Sequence, residues 1–453
     1  MAPTKRGNRK IPDSFQSRPS SHSKPSSHSK PSSSRREPPQ SRKSHPPRET
    51  SHEETNNSAN GLDLDTTVPL SLQQLLLDVF KAALLPSTPV HSESPDSAEP
   101  SQLQPADSTH QTNTPLDTKS LIQTIKSHLY QRDFDSAFAD ADDDLLRAYA
   151  LRWSAARALG YAGLFRWVFG LMRDQKEDNA SGKGLHTAPS TRVVCLGGGA
   201  GAEIVALAAA WRDLGCDDGD GLEEGVAGLA LTEKNTENEE ESGTGLGEAS
   251  GPRLAVTAVD IADWTAVIER LSDTITSADV PTPSTSKHQP PLVRERSTFS
   301  VSFQRADVLT LPASELNDIF RDTHATSASL LVTLMFTLNE LFSTSMPKAT
   351  KLLLQMTETL PAGTVLLVVD SPGSYSTVKL NGKDGNMQER KYPMKFLLDH
   401  TLLSVAEGKW ERVFSQDSRW WRRDAPRLRY EVGEGAGLED MRFQLHVYRR
   451  VAG

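Results

Sequence analysis

From residue 190 onward, short apolar runs alternate with stretches whose hydrophobic residues recur at helical spacing. Most of the runs are almost entirely apolar, which is typical of parallel strands covered by helices on both faces. The last two runs have no helix between them, which indicates an antiparallel hairpin at one edge of the sheet. The pattern therefore predicts an α/β fold with a mostly parallel, seven-stranded sheet. The predicted strands cover residues 193–196, 253–259, 299–303, 329–336, 364–370, 410–421 and 441–451.

The N-terminal part of the chain lacks this alternation. Residues 1–66 contain a short repeat, SSHSKP, and few side chains that could enter a core, so we expect this segment to be disordered. Hydrophobic residues at helical spacing then predict helices before the sheet. The predicted organisation is a disordered basic tail (1–66), a helical N-terminal region (68–173) with a linker (86–115), and a sheet domain (190–453). Within that domain we expect disordered insertions at 213–252 and 276–297 and a linker at 374–390.

A cluster of glycines follows the first predicted strand in the stretch TRVVCLGGGAGAE, residues 191–203. A buried strand that turns through glycines into a helix is typical of nucleotide-binding turns, because glycine tolerates positive φ and leaves room beside the backbone. The ligand of such a sheet binds at the carboxyl ends of the strands. We therefore predict a cofactor site formed by Gly197, Gly199, Gly201, Asp260, Ile261, Asp307 and Val308.

The glycine spacing and the two aspartates favour one nucleotide over another. A dinucleotide turn has the pattern G-x-G-x-x-G, but here Ala202 stands where its last glycine would be. Asp260 is suited to accept both hydroxyls of a ribose, and Asp307 is suited to the amino group of an adenine. These features predict S-adenosylmethionine (AdoMet) as the cofactor. An NAD-dependent oxidoreductase is an alternative that the missing glycine disfavours.

Several longer blocks resemble the fungal 25S ribosomal RNA uridine-N3 methyltransferase family, a family of AdoMet-dependent methyltransferases. They include RDFDSAF (132–138), VCLGGGAGAE (194–203), VDIADW (259–264), LVTLMFTLNELF (331–342), LLVVDSPGSYS (366–376) and DSRWWR (417–422). The resemblance implies a Class I (Rossmann-like) methyltransferase fold with an N-terminal helical extension. It also implies an enzyme of the nucleus or nucleolus, and also of the cytoplasm, that methylates large-subunit ribosomal RNA on the pre-60S particle.

Methylation of uridine at N3 requires the loss of a weakly acidic proton, which a hydrogen-bond acceptor beside N3 would assist. The predicted catalytic residues are Glu340 and Asp370 as proton acceptors, with Asn339 holding the edge of the base. Glu340 and Asp370 follow the fourth and fifth predicted strands, so both are expected at the edge of the sheet that binds the ligand. Trp264 or Tyr375 could stack on a base.

The stretch DSRWWR has two interpretations. Trp420 and Trp421 belong to a predicted strand, which favours a role in core and edge packing over a platform that stacks RNA bases. The arginines around them either bind phosphates or are neutralised by the neighbouring acids.

Charge and cysteine content narrow the function further. The chain has a net charge of −9, but residues 1–50 carry 12 Lys/Arg and 3 Asp/Glu, so the tail is about +9 and the remaining residues about −18. A basic tail on an acidic body indicates a polyanionic partner or a nuclear import signal. Two cysteines exclude a self-contained zinc site, and Cys195 in mid-strand argues against a cysteine-based methylation mechanism. We expect a monomer with no metal and no membrane contact, because no apolar run approaches the roughly 20 residues that cross a bilayer.

Two further functions are left open by the sequence. One is a methyltransferase that acts on protein or on a small molecule, which the basic tail disfavours. The other is a non-catalytic ribosome-assembly factor with the same fold, which the intact glycine turn and its two aspartates disfavour.

Overall fold

The computed structural model describes residues 68–85, 116–131, 133–179, 190–215, 253–280, 290–321, 329–373, 375–381 and 387–452. The predicted tail 1–66, the linker 86–115 and most of the insertion 213–252 lie outside the described residues. In the part of the chain that is described, no helix is long and apolar enough to cross a membrane.

Helices and strands alternate through the second half of the chain. The helices are α1 (Leu70–Leu84), α2 (Thr118–Gln131), α3 (Asp143–Tyr149), α4 (Ala155–Asn179), α5 (Ala202–Asp213), α6 (Thr265–Ile275), α7 (Ala313–Phe320), α8 (Leu338–Thr359) and α9 (Met394–Asp399). Short π-helical segments at Asp135–Ala139, Ala150–Ser154 and His400–Val405 adjoin α3, α4 and α9. The strands are β1 (Thr191–Leu196), β2 (Leu254–Asp260), β3 (Phe299–Arg305), β4 (Ser329–Met335), β5 (Val365–Asp370), β6 (Tyr375–Asn381), β7 (Met387–Pro393), β8 (Trp410–Trp421) and β9 (Met441–Arg450).

Seven of the strands form one sheet in the order β3-β2-β1-β4-β5-β9-β8. The first five are parallel, and β9 pairs antiparallel with both β5 and β8. The predicted mostly parallel sheet with an antiparallel C-terminal hairpin is therefore confirmed. Because β1 lies between β2 and β4, the strand order reverses beside it, and in open α/β sheets ligands bind at that switch point.

Successive residues of β1 face opposite layers of the core, as strand geometry requires. Val193 and Cys195 pack with α1, α4, α5 and α6, whereas Val194 and Leu196 pack with α7, α8 and α9. The N-terminal helices α1 and α4 thus share one face of the sheet with α5 and α6. Leu76 and Leu77 of α1 are fully buried there.

Two parts of the sheet domain differ from the sequence-based expectation, and one helix is kinked. Residues 374–390, expected to be a linker, instead contribute β6 and most of β7, which pair as a separate antiparallel hairpin. The predicted insertion 276–297 is packed at both ends, because Val280, Leu292 and Val293 are buried in the core. Helix α8 is kinked at Ser345 (φ −160°, ψ 101°), two residues before Pro347, whose ring is incompatible with a continuous helix.

We predict that Leu76→Ala lowers the free energy of unfolding by about 2–5 kcal/mol, because it leaves a cavity between α1 and the sheet domain. Urea denaturation measures the change. The matched control is Ser71→Ala, an exposed position on the same helix, which should change stability by no more than about 0.5 kcal/mol. Equal effects of the two substitutions would contradict the packing of α1 on the sheet.

Candidate active site

A cavity of about 230 Å³ opens at the carboxyl ends of the central strands. Six of the predicted site residues line it: Gly197, Asp260, Ile261, Asp307, Val308 and Glu340. Four others, Gly199, Gly201, Asn339 and Asp370, do not line it and lie behind its wall or beside it. Residues from four strand ends thus converge on one space, as the parallel sheet predicts.

The turn after β1 depends on glycine for conformation and for space. Gly197 and Gly201 adopt φ values of +82° and +81°, in the left-handed region. A Cβ atom on Gly197 would lie 2.2 Å from Oγ1 of Thr337, and one on Gly199 would lie 2.0 Å from Cδ1 of Trp264. Gly199 and Gly201 therefore act through packing of the turn, whereas Gly197 also forms the cavity floor.

Asp260 is fixed at the end of β2 by the turn itself. Its carboxylate accepts the N–H of Gly199 at 3.0 Å and the N–H of Ala262 at 3.2 Å. Burial raises the pKa of Asp260, and these backbone hydrogen bonds oppose that rise. The next residue, Ile261, exposes 44% of its surface, which is unusual for a large aliphatic side chain and leaves a face for an apolar ring.

The carboxylate of Asp307 both caps a turn and lines the cavity. One carboxylate oxygen accepts the N–H of Leu309 at 2.9 Å, so it caps the turn after β3, as many aspartates at such positions do. The same residue lines the cavity. The capping role and a ligand contact are therefore compatible.

Glu340, in the first turn of α8, is the predicted catalytic residue that reaches the cavity. Glu340 is an exposed residue that faces the cavity. The pKa of Glu340 is raised to about 7, mainly by desolvation; Arg157 opposes this rise, and Asp370 and Asp260 add to it. A carboxyl with this pKa can accept a proton near neutral pH.

Asp370 and Asn339 occupy supporting positions. Asp370 is 2% exposed and accepts the backbone N–H groups of Asn339 at 2.9 Å and Ser371 at 2.7 Å. Burial raises the pKa of Asp370 to about 6, against the effect of these hydrogen bonds. Its carboxylate holds the start of α8 and does not reach the cavity, which disagrees with a direct role in proton transfer.

The N-terminal helices supply cavity residues that the sequence analysis did not assign. Arg157 of α4 donates to the hydroxyl of Tyr149 at 3.0 Å, and its guanidinium lies 4.9 Å from the ring centroid of Phe336. Phe336, directly after β4, has φ +60°, a strained conformation that is uncommon for a bulky residue and concentrates at functional sites. Phe134, Asp135 and Phe138 also line the cavity. In the sequence, Arg157 stands on an apolar face of a predicted helix. That position predicts a buried arginine but does not identify the residues that it contacts.

Neither of the two residues that the sequence suggested for base stacking presents an open ring face to the cavity. Trp264 lines it but is 1% exposed, because its indole packs against Gly199 and Tyr149. Tyr375 is 57% exposed and does not line it. A base that enters the cavity would meet the ring of Phe336 instead.

Cys195 is a core residue, as predicted. It is fully buried in β1, and burial raises the pKa of its thiol well above the usual range. The neighbouring carboxyl of Glu203 accepts the hydroxyl of Thr333 at 2.6 Å, and burial raises its pKa to about 7. A buried thiol beside a carboxyl is not an exposed thiolate, so a cysteine nucleophile is excluded at this position.

The charges around the cavity suit a cationic ligand. Four carboxyl groups line it, from Asp135, Asp260, Asp307 and Glu340, against the single guanidinium of Arg157. Such a lining attracts a sulfonium and repels a pyrophosphate. The residues present therefore fit AdoMet better than a dinucleotide.

We predict that Gly199→Ala weakens AdoMet binding at least about tenfold, because the added methyl group clashes with the buried ring of Trp264 and displaces the turn. Titration calorimetry measures the affinity. Gly170→Ala is the control: no atom lies within 4 Å of the added Cβ, and this position in α4 should keep the affinity and gain up to about 1 kcal/mol of stability. Unchanged AdoMet affinity in Gly199→Ala would contradict the role of this turn.

Comparison with known proteins places this site in a family. Residues 105–449 match the family described as "Putative SAM-dependent methyltransferase", SAM being AdoMet. The chain is 32% identical over 342 residues to the 25S rRNA (uridine(2843)-N(3))-methyltransferase of Saccharomyces cerevisiae, which covers 72% of this chain and 76% of the yeast protein.

Solved methyltransferase structures align more distantly. The N-methyltransferase NodS from Bradyrhizobium japonicum WM9, in complex with S-adenosyl-L-homocysteine, aligns at TM-score 0.23 and 12% identity over 62% of this chain and 87% of its own. An O-methyltransferase family protein from Burkholderia thailandensis aligns at TM-score 0.31 and 12% identity over 74% of this chain and 71% of its own. Because both TM-scores are low, the fold is assigned from the strand order of the sheet and not from these alignments.

The family match covers α2–α4, of which α3 and α4 contribute Tyr149 and Arg157 to the cavity, and all but the last residue of the seven-stranded sheet. The chain therefore belongs to this family of AdoMet-dependent methyltransferases and has the Class I fold.

Proposed function

We propose that this enzyme transfers the methyl group of AdoMet to N3 of a uridine in large-subunit ribosomal RNA. The observation that carries the proposal is the 32% identity, over 72% of the chain, to a yeast enzyme named for that reaction on 25S rRNA. The proposal places the enzyme in the nucleus or nucleolus, acting as a monomer on the pre-60S particle. The net positive residues 1–50 support contact with such a polyanion.

Glu340 is the proposed proton acceptor. AdoMet, when bound, supplies an electrophilic methyl group on a sulfonium. Uridine N3 becomes a better nucleophile as it loses its proton, and the carboxylate of Glu340 is the group in the cavity whose pKa, about 7, suits that transfer. Arg157, which faces the same cavity, offsets the negative charge of Glu340 and keeps it ionised near neutral pH.

Asn339 and Asp370 are proposed as positioning residues for Glu340. The hydrogen bond from the backbone of Asn339 to Asp370 fixes the first turn of α8, and Glu340 is the next residue. The kink at Ser345 limits the first straight part of α8 to a few residues, so this anchoring governs where the carboxylate of Glu340 lies. Gly197 and the ends of β2 and β3 hold the cofactor in the same proposal.

We propose the same domain organisation that the sequence predicts, with one refinement. The helical region 68–173 is part of the active site, because Tyr149 and Arg157 form one wall of the cavity.

The proposed function predicts that cells lacking this protein lose one N3-methyluridine from large-subunit ribosomal RNA, because the proposal assigns that single site to this enzyme alone. Modification mapping at single-nucleotide resolution measures the loss, and expression of the wild-type chain should restore it. Calorimetry with AdoMet separates the alternatives: binding without any change in ribosomal RNA favours a protein or small-molecule substrate, and absence of binding favours a non-catalytic assembly factor. Either result would refute the proposal.

Proton transfer to Glu340 predicts a defined pH dependence. Only the ionised carboxylate accepts a proton, so log kcat/KM for AdoMet should rise with unit slope up to about pH 7 and level off above it. Glu340→Gln should lack this limb and lower the single-turnover rate by roughly 10²–10⁴-fold. The control Glu315→Gln, an exposed acid in the first turn of α7, should keep both the limb and the rate. An undiminished rate in Glu340→Gln would eliminate the general-base role.

A further inference from the structure

The adjacent tryptophans Trp420 and Trp421 of β8 lie on opposite faces of the strand. Trp421 packs inward, with ring atoms that would lie 3.3 Å from a Cβ on Gly160 of α4, as expected for core packing. Trp420 lies on the edge strand, points outward and is 51% exposed. An exposed indole leaves apolar surface in contact with water, which does not stabilise the folded state. Its position on the surface therefore requires an explanation other than packing.

Two arginines contact the exposed ring. The guanidinium groups of Arg422 and Arg442 lie 4.8 Å and 5.8 Å from the centroid of Trp420, within the range of cation–π interactions. Arg442 is opposite Trp420 in the register of β8 and β9. The ring is therefore held in place on the sheet edge and surrounded by positive charge.

The charges beside this ring are net positive. Asp440 pairs with Arg422 at 3.1 Å and Arg423 at 3.3 Å, whereas the side chain of Arg442 donates to the hydroxyl of Ser418 at 3.0 Å. Two arginines thus share one carboxylate, and the third arginine is held by an uncharged hydroxyl. An ordered aromatic ring amid arginines is the arrangement by which proteins stack unpaired nucleotides and hold their phosphates.

A second cavity has lining residues in common with this surface and with the active-site cavity. Arg442 and Asp440 also line a second cavity of about 200 Å³, and Arg157 and Phe336 form its inner wall. The same two residues line the cavity that contains Glu340. Arg442 therefore joins the surface around Trp420 to a cavity that shares two lining residues with the proposed site of methyl transfer.

We infer that Trp420, with Arg422 and Arg442, is a stacking platform for an unpaired nucleotide of the RNA substrate, whose strand continues past Arg442 toward the active site. This inference rests on the proposed function for the identity of the substrate. It adds that the enzyme requires single-stranded RNA next to its target, because a base within a duplex cannot stack on an external ring.

Fluorescence anisotropy with the full chain tests the platform. The probes are labelled oligouridine and the same strand annealed to oligoadenine, with S-adenosyl-L-homocysteine present. Trp420→Ala should weaken binding of the single strand at least about fivefold and leave binding of the duplex unchanged. Trp420→Phe, which keeps an aromatic face, should retain most of the affinity, and Arg442→Gln should reduce the salt dependence of binding.

Phe396→Ala is the matched control. Phe396 is 49% exposed, close to the exposure of Trp420, but it stacks on the rings of Tyr392 and His400 rather than on guanidinium groups. It should bind oligouridine as the wild type does. Calorimetric binding of AdoMet by Trp420→Ala, at wild-type affinity, verifies that the variant is folded.

The outcomes separate this inference from the proposed function. Unchanged affinity of Trp420→Ala for oligouridine, or an equal loss for both probes, overturns the platform even if ribosomal RNA is methylated. A wild-type chain that methylates ribosomal RNA but does not bind oligouridine also overturns it and assigns the surface to a protein partner. Conversely, selective loss in Trp420→Ala sustains the platform even where modification mapping shows no missing methyl group.

Discussion

The contact between Gly197 and Thr337 is the constraint on which the site depends. No side chain fits between them, since a Cβ on Gly197 would lie 2.2 Å from Oγ1 of Thr337. The contact places the turn after β1 directly against the residues that follow β4, although 140 positions separate the two in sequence. Consequently the nucleotide turn, the strained Phe336 and the carboxyl of Glu340 face one cavity. A larger residue at position 197 would separate the half of the site that binds the cofactor from the half that would bind the base.

The N-terminal helices contribute residues to the wall of this cavity. Arg270 of α6 forms two hydrogen bonds of 3.0 Å with the carboxylate of Asp143 at the start of α3, which fixes the helical region on the sheet domain. From that anchor the chain runs through a π-helical segment into α4, which brings Tyr149 and Arg157 over the strand ends. Because π-helical segments shift the phase of a helix and are frequent at functional sites, this one explains how a mostly apolar helix directs an arginine into a polar cavity.

Periodicity in the sequence was sufficient for the sheet and for the strand-end residues of the cofactor site. Apolar runs mark buried strands, and an aspartate that ends such a run lies at the ligand edge, so Asp260 and Asp307 were predicted correctly as cavity residues. The hairpin β6–β7 was missed because its two strands, YSTVKLN and MQERKYP, contain no run of apolar residues. Arg157 could not be assigned, because the sequence does not show that Phe336, 179 positions away, meets it across the sheet. Asp370 fitted the same strand-end rule as Asp260, yet its carboxylate turns toward the backbone of α8.

The acidic lining couples the cofactor to the proposed base. Desolvation and the neighbouring carboxyls of Asp370 and Asp260 raise the pKa of Glu340, so a cation in the cavity must lower it. By linkage, ionised Glu340 then favours the sulfonium of AdoMet over the uncharged thioether of S-adenosyl-L-homocysteine. Acceptance of the base's proton by Glu340, as proposed, would remove this preference when the sulfonium becomes an uncharged thioether. A single carboxyl with a pKa of about 7, kept inside the cavity, can therefore favour AdoMet before methyl transfer. It then imposes no penalty on S-adenosyl-L-homocysteine afterwards.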